Sequence, residues 1–171
     1  MLIQTRNIPS GGLDVDFALP PEVMSAASAQ DNELKELFRE KVECHVHLEI
    51  SHKKDVQLNG EAQTSIHPTC ARCDEVFDQP FTIDIFVTCA PEPHPRKGPD
   101  SYQESQEGLV FYRNNEVNLG EIIREQILLA LPIRYLCKET CRGLCDRCGA
   151  NLNLGEHHCK TNSKESNHAS T

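Results

Sequence analysis

The sequence predicts an α+β protein with a mainly antiparallel β-sheet, two helices and a small cysteine-rich segment near the C-terminal end. Three observations lead to this prediction. Apolar and polar residues alternate in three stretches between residues 42 and 90, which is the period of half-buried strands. An apolar stripe with helical spacing covers residues 119 to 131. Four cysteines then fall between residues 137 and 148.

Two strands and one helix are predicted before residue 42. Residues 2 to 8 and the alternating stretch "LDVDFAL", residues 13 to 19, are the strand candidates. The helix covers about residues 32 to 40, with Asp31 as its cap. Its apolar side chains are Leu34, Leu37 and Phe38.

The clearest strands form a long antiparallel hairpin. In "VECHVHLEI", residues 42 to 50, every second residue is apolar, and "VQLNGEAQTSI", residues 56 to 66, keeps the same period. Gly60 interrupts the second stretch and predicts a bulge or bend there. The stretch "FTIDIFVTCA", residues 81 to 90, pairs antiparallel with the preceding strand, so a sheet of at least five strands is expected.

The second helix has clear boundary signals. Asn118 is a capping residue, Glu121 stands three positions later as in a capping box, and Pro132 ends the helix. The apolar stripe consists of Leu119, Ile122, Ile123, Ile127, Ala130 and Leu131.

Composition divides the chain into three segments. Residues 1 to 133 form the β-rich domain with its two helices, and residues 134 to 160 form the cysteine-rich knuckle segment. Residues 161 to 171 are polar, which predicts a disordered tail. Within the first segment, residues 91 to 108 are rich in Pro, Gly and charged residues, and we expect a mobile surface loop there.

Charge and the absence of a targeting signal restrict the function classes. The net charge of −9 argues against a protein that coats nucleic acid through overall positive charge. The first twelve residues lack the apolar run of a signal peptide, and "ILLALPI" is too short to cross a bilayer. We therefore expect a cytoplasmic protein, in which cysteines serve metal or redox chemistry ahead of disulfides.

Seven of the nine cysteines are candidate zinc ligands. Cys44 and Cys89 lie on apolar strand faces, where a thiol acts as a small hydrophobic group. The motifs "CARC" and "CDRC" have the spacing with which a tight turn brings two thiolates to one tetrahedral zinc ion. The candidates are Cys70, Cys73, Cys137, Cys141, Cys145, Cys148 and Cys159.

The residues leave three ligand pairings open. A single zinc ribbon would join Cys70 and Cys73 to Cys145 and Cys148. A self-contained tail would use Cys141, Cys145, Cys148 and Cys159. The third pairing makes two sites, the first with Cys70, Cys73, Cys137 and Cys141, and the second with Cys145, Cys148, His157 and Cys159.

Two further alternatives concern these residues. His158 competes with His157 as the nitrogen ligand. A thioredoxin-like dithiol would require a C-x-x-C motif at a helix N-terminus in a βαβ setting, but "CARC" joins two predicted strands and "CDRC" lies among turn residues.

Three stretches resemble the YceD family, bacterial and plastid proteins associated with accumulation of large ribosomal RNA. They are the "CARC" turn, the helix ending "LLALP" and the string "LCKETCRGLCDRCGANLN". The resemblance covers roughly residues 1 to 160 and is specific at residues 70 to 73 and 127 to 159. In the family the tail closes with C-x-C, whereas this chain has His157 and Cys159 at that spacing, and both can bind zinc.

The resemblance implies a non-enzymatic ribosome biogenesis factor that supports synthesis, processing or stability of 23S rRNA, with one or two structural Zn²⁺ ions. Its partners would be ribosomal RNA or a large-subunit assembly intermediate, together with a protein partner, and neither a membrane nor a small-molecule substrate. The sequence contains no G-x-S-x-G, P-loop or H-E-x-x-H signature. The alternatives are a zinc-ribbon protein that binds nucleic acid or a transcription complex directly, and a hydrolase with an open catalytic zinc.

Overall fold

The computed structural model describes residues 1–25, 32–92 and 109–159, and the chain divides into two compact units. Unit 1 consists of residues 1–67 and 78–132, and unit 2 of residues 68–77 and 133–171. The predicted cap Asp31, most of the predicted loop and the predicted disordered tail lie outside the described residues.

A five-stranded sheet forms the centre of unit 1. Its strands are β2 (Leu13–Leu19), β3 (Val42–Ile50), β4 (Val56–Ile66), β5 (Gln79–Pro91) and β6 (Leu109–Tyr112), in that spatial order. The first four pair antiparallel, as predicted, and β6 runs parallel to β5. The sheet is therefore mixed at one edge, a feature that the sequence pattern did not predict.

Alternation along the strands buries one face of this sheet. Both thiols that the sequence assigns to the core are buried there, Cys44 at 4% exposed and Cys89 at 0%. Burial raises the pKa of Cys44 to about 11 and that of Cys89 to about 12, so both remain protonated at neutral pH. The largest fully buried strand residues are Leu48, Leu58, Ile66, Val42, Val46, Val56 and Val87.

Gly60 lies in the middle of β4, and the expected bulge is wrong. The register continues one to one through Gly60, which pairs with Val46 on one side and with Ile85 on the other. A Cβ atom at this position would lie 2.1 Å from the carbonyl oxygen of His45. The glycine is therefore explained by the close approach of the neighbouring strand.

A second, two-stranded sheet pairs β1 (Leu2–Gln4) with β7 (Glu116–Asn118). The predicted strand at residues 2 to 8 is shorter than expected, because Thr5–Asn7 form a 3₁₀ turn in which the N–H of Ile8 donates to the carbonyl of Thr5 at 3.2 Å. Both β6 and β7 have only three or four residues, which is too short for alternation to identify.

The described residues contain three helices, where the sequence predicted two. The additional one is α1 (Pro21–Met24), and α2 (Asn32–Leu37) is shorter than predicted, with the fully buried Phe38 directly after it. The third, α3 (Leu119–Ala130), begins as predicted, and Asn118 accepts the N–H of Glu121 at 3.4 Å. Across the described ranges, no helix has the length and apolar composition required to cross a membrane.

We expect Gly60→Ala to lower the free energy of unfolding by about 3 kcal/mol, because the added methyl group meets backbone atoms of β3 that cannot move without breaking strand pairing. Urea unfolding would measure the change. Gly11→Ala is the matched control, since no heavy atom lies within 4 Å of a Cβ built there. Equal stabilities of the two variants would contradict the prediction.

Candidate metal centres

Unit 2 contains two cysteine knuckles with the same backbone structure, the first at residues 69–76 and the second at residues 144–151. In each, the carbonyl of the first cysteine accepts the N–H four positions later, at 3.0 Å for Cys70 and 2.8 Å for Cys145. The N–H of that cysteine donates to the carbonyl five positions later, at 2.8 Å in both knuckles. An isolated β-bridge closes each knuckle.

The residue after the second cysteine has a left-handed backbone in both knuckles. It is Asp74 with φ 60° in the first and Gly149 with φ 73° in the second. A Cβ at Gly149 would meet no heavy atom within 4 Å. The positive φ, rather than a close backbone approach, therefore explains this glycine.

Backbone N–H groups point at the first sulfur of each knuckle. The N–H of Cys137 is the main cause that lowers the pKa of Cys70 to about 6, with further bonds from Arg72 and Cys73. In the second knuckle, the N–H groups of Arg147 and Cys148 lower the pKa of Cys145 to about 7. The first cysteine of each knuckle is thus favoured in the thiolate form, which is the form that binds metal.

The first candidate centre consists of Cys70, Cys73, Cys137 and Cys141, whose sulfur atoms all lie within 4.8 Å of one another. The sulfurs of Cys70 and Cys141 are 3.8 Å apart, and those of Cys73 and Cys137 are 3.7 Å apart. Sulfurs at the corners of a regular tetrahedron, each about 2.3 Å from zinc, would be about 3.8 Å apart. These two separations therefore match those expected around a zinc ion.

These four thiols do not ionise equally. Burial and the neighbouring Cys141, Cys73 and Cys70 raise the pKa of Cys137 to about 12. Burial opposes ionisation of Cys141 as well, but hydrogen bonds from the Asn153 side chain and the Gly143 N–H lower its pKa on balance. A divalent cation at the centre of the set would offset the repulsion between thiolates and allow all four to ionise.

Arg72 fastens the first knuckle to the segment that supplies the other two ligands. Its Nη1 atom donates to the carbonyls of Glu139 and Cys141, each at 3.0 Å, and its own carbonyl accepts the N–H of Leu144 at 3.1 Å. Gly143 lies against the same carbonyl, since a Cβ there would be 3.0 Å from it. These contacts hold Cys137 and Cys141 near Cys70 and Cys73.

The second candidate centre consists of Cys145, Cys148, His157 and Cys159, whose ligand atoms also lie within 4.8 Å of one another. The Nε2 atom of His157 is 3.2 Å from the sulfur of Cys148. Tetrahedral geometry at zinc gives about 3.6 Å for such a pair, so the fit requires a shift of a few tenths of an ångström. The structure brings His157 into the set and leaves His158 exposed outside it.

The two centres differ in exposure. The sulfur-bearing residues Cys70, Cys73 and Cys141 are 1%, 3% and 5% exposed, whereas Cys148 is exposed and the other second-centre residues are half-buried. Cys148 and burial raise the pKa of Cys159 to about 11. The second centre is thus more accessible to solvent and reagents than the first.

The geometry groups the candidate ligands as in the third of the three pairings that the sequence left open. Cys145 and Cys148 do not join Cys70 and Cys73, and Cys141 joins the first set, so both the single ribbon and the self-contained tail disagree with the structure. Neither C-x-x-C motif lies at the N-terminus of a described helix, as a thioredoxin-like dithiol would require.

Sequence reasoning missed two residues that organise the centres, Arg72 and Asn153. Arg72 stands between the cysteines of the first motif, and Asn153 ends the string "GANLN". The string is part of the resemblance to the YceD family, but nothing in its spacing indicates that the Asn153 carboxamide donates to the Cys141 sulfur, at 3.3 Å.

Comparison with known proteins identifies relatives of this chain. Residues 58–169 match the sequence profile of a family described as large ribosomal RNA subunit accumulation protein YceD. The chain is 26% identical over 138 residues to "Large ribosomal RNA subunit accumulation protein YCED homolog 1, chloroplastic" of Arabidopsis thaliana. The alignment covers 68% of this chain but 43% of that protein, so the chain spans less than half of the relative's length. No solved structure matches the chain.

We expect native mass spectrometry to find two zinc ions on the wild-type chain and one on either Cys73→Ser or His157→Ala, because each substitution removes a ligand from a different centre. His158→Ala is the matched control and should retain both ions. A single zinc that is lost in both variants would contradict the two-centre arrangement.

Proposed function

The chain belongs to the YceD family of large ribosomal RNA subunit accumulation proteins, and we propose that it is a non-enzymatic ribosome biogenesis factor that supports synthesis, processing or stability of 23S rRNA. The convergence of eight ligands into two complete sets carries the proposal, because all eight lie within the region that matches the family. The ions would hold residues 68–77 and 133–159 in one shape for recognition by a partner.

The donor sets favour structural zinc over catalytic zinc. A catalytic zinc keeps a coordination position open for water or substrate, whereas each set here offers four protein ligands. Structural zinc contributes roughly 10 kcal/mol or more of apparent binding energy in small zinc modules. That contribution is large enough to determine whether unit 2 folds. An RNA-processing hydrolase is disfavoured because a zinc ion held by four protein ligands has no open coordination position.

Charge distribution favours unit 2 as the part that faces RNA or an assembly intermediate. Its described residues carry five Lys and Arg against five Asp and Glu, whereas those of unit 1 carry eight against sixteen. In unit 1, Asp16, His45, Glu61 and Asp84 form one row across the exposed face of the five-stranded sheet. Phosphate groups would be repelled there.

Direct nucleic-acid binding is the second candidate function. The observation in its favour is a group of exposed cations that form no ion pair within the described residues, namely Arg134, Lys138, Arg142 and Arg147. The thiolates oppose it, because four thiolates outweigh the charge of a divalent ion. We therefore favour binding to ribosomal RNA within an assembly intermediate, together with a protein partner. The cytoplasmic location stays a prediction.

Deletion of the gene should lower the ratio of large-subunit to small-subunit rRNA, and expression of the wild-type chain should restore it. Cys73→Ser should fail to restore the ratio, because the first centre would lose a ligand and no ion would then join residues 70–73 to residues 137–141. His158→Ala, at an exposed position outside both sets, should restore it fully. Full restoration by Cys73→Ser at equal protein level would contradict a role for the first centre.

Direct binding makes a separate prediction for the isolated protein. If Arg142 and Arg147 contact phosphates, replacing both with Gln should weaken RNA binding uniformly across sequences and lower the salt slope of the affinity by about 2. Fluorescence anisotropy at several salt concentrations would measure this slope. An unchanged slope would leave binding through a partner as the supported route.

A further inference from the structure

Asn153 belongs to the loop of one centre and contacts the other. In the chain it lies between Cys148 and His157, two ligands of the second centre. Its Nδ2 atom donates to the sulfur of Cys141, a ligand of the first centre, at 3.3 Å. Its Oδ1 atom accepts the N–H of Arg142 at 2.9 Å. One carboxamide thus holds both a ligand sulfur and the backbone next to it.

Neighbouring contacts keep this carboxamide in place. The side-chain oxygen of Asn151 accepts both the Nδ2 group of Asn153, at 2.8 Å, and its backbone N–H, at 2.9 Å. Asn151 itself donates to Glu75 in the first knuckle at 2.8 Å. Leu152 adds a backbone bond to the carbonyl of Gly143 at 2.9 Å. Four polar contacts therefore join the loop to the first centre and the residues beside it. They are those of Asn153 with Cys141 and Arg142, that of Asn151 with Glu75 and that of Leu152 with Gly143.

The ligands of the second centre stand at both ends of this loop. Cys145 and Cys148 precede it, and His157 and Cys159 follow it, so an ion bound by all four closes the loop into a ring. Closing a loop reduces its conformational freedom, so Asn153 would lose less entropy when it contacts Cys141 from the closed loop. Without that ion, only the hydrogen bonds of residues 151 to 153 would hold Asn153 near Cys141.

We propose that Asn153 is a positioning residue that couples the two metal centres, so that an ion in the second centre slows the release of the ion in the first. The inference rests on the two-zinc arrangement proposed above. An N–H···S bond draws charge from a ligand thiolate and fixes its orientation, and such outer contacts change metal affinity by about 10- to 100-fold. Because the second centre is the more exposed, its ion leaves first and its departure loosens the first centre.

The rate of zinc transfer to the colorimetric chelator 4-(2-pyridylazo)resorcinol tests this coupling on the full, zinc-loaded chain. Cys148→Ser retains only the first centre and Cys73→Ser only the second, so the two variants assign the kinetic phases. Asn153→Asp keeps the acceptor for Arg142 and loses the donor to Cys141, and Asn153→Leu removes both without adding charge. Asn59→Asp, in β4 of unit 1, is the matched control.

We expect first-centre release to become about tenfold faster or more in both Asn153 variants and in Cys148→Ser, with no change in Asn59→Asp. Adding Asn153→Leu to Cys148→Ser should accelerate release little further, because the loop is already open. In the ¹¹³Cd-loaded protein, Asn153→Asp should shift the resonance of the all-sulfur centre. A merely structural role of Asn153 would not shift that resonance selectively.

Two results would contradict the coupling, and only the first of them would also contradict the two-zinc arrangement. If native mass spectrometry finds fewer than two zinc ions on the wild-type chain, both the coupling and the two-zinc basis of the proposed function are wrong. If the wild-type chain carries two ions and both Asn153 variants release zinc from the first centre at the wild-type rate, only the coupling is wrong. Circular dichroism of each loaded variant checks that it is folded, and Cys148→Ser tests the coupling independently of position 153.

Discussion

Repulsion between thiolates is the constraint on which unit 2 depends. Thiol groups less than 5 Å apart cannot all ionise in a partly buried site unless N–H groups and a cation balance their charge. The local structure follows from this need. Tight turns aim N–H groups at sulfur, a left-handed residue closes each knuckle, and an arginine joins the ligand segments through backbone carbonyls. The buried cluster of this unit consists of Cys70, Cys73 and Cys141, with Phe77 and Cys137 packed against it.

Unit 1 is stabilised in a different way. Its sheet buries a continuous apolar face, and α3 adds buried leucine and isoleucine side chains under a capped N-terminus. Each of its two buried cysteines behaves as a hydrophobic group there. Unit 1 therefore has an apolar core of its own, whereas the described residues of unit 2 have turns and isolated bridges in place of helices and strands. For unit 2, metal binding and folding are expected to be one equilibrium.

This division is consistent with a factor that acts by presenting a surface. The family description concerns accumulation of large-subunit ribosomal RNA. If each of the two sets of four candidate ligands held a zinc ion, the ions would supply shape and stability without an open coordination position. The exposed cations of residues 134 to 147 are the part of the described surface best suited to phosphate. Coupling through Asn153 would make the shape of this surface depend on both ions. Loss of the ion in the exposed second centre would then also weaken the binding of the ion in the buried first centre.

Sequence alone predicted what is local. Alternation identified β2 to β5, the capping residues identified the start of α3, and three-residue spacing identified both knuckles, because each of these signals lies within a few neighbouring residues. It did not predict the short strands β6 and β7 or the close strand approach at Gly60. The grouping of the candidate ligands into two sets came only from the tertiary structure. The sulfurs that meet in the first centre are 64 and 71 residues apart in the chain. The path of the chain between them, which no local pattern encodes, determines which four candidate ligands lie together.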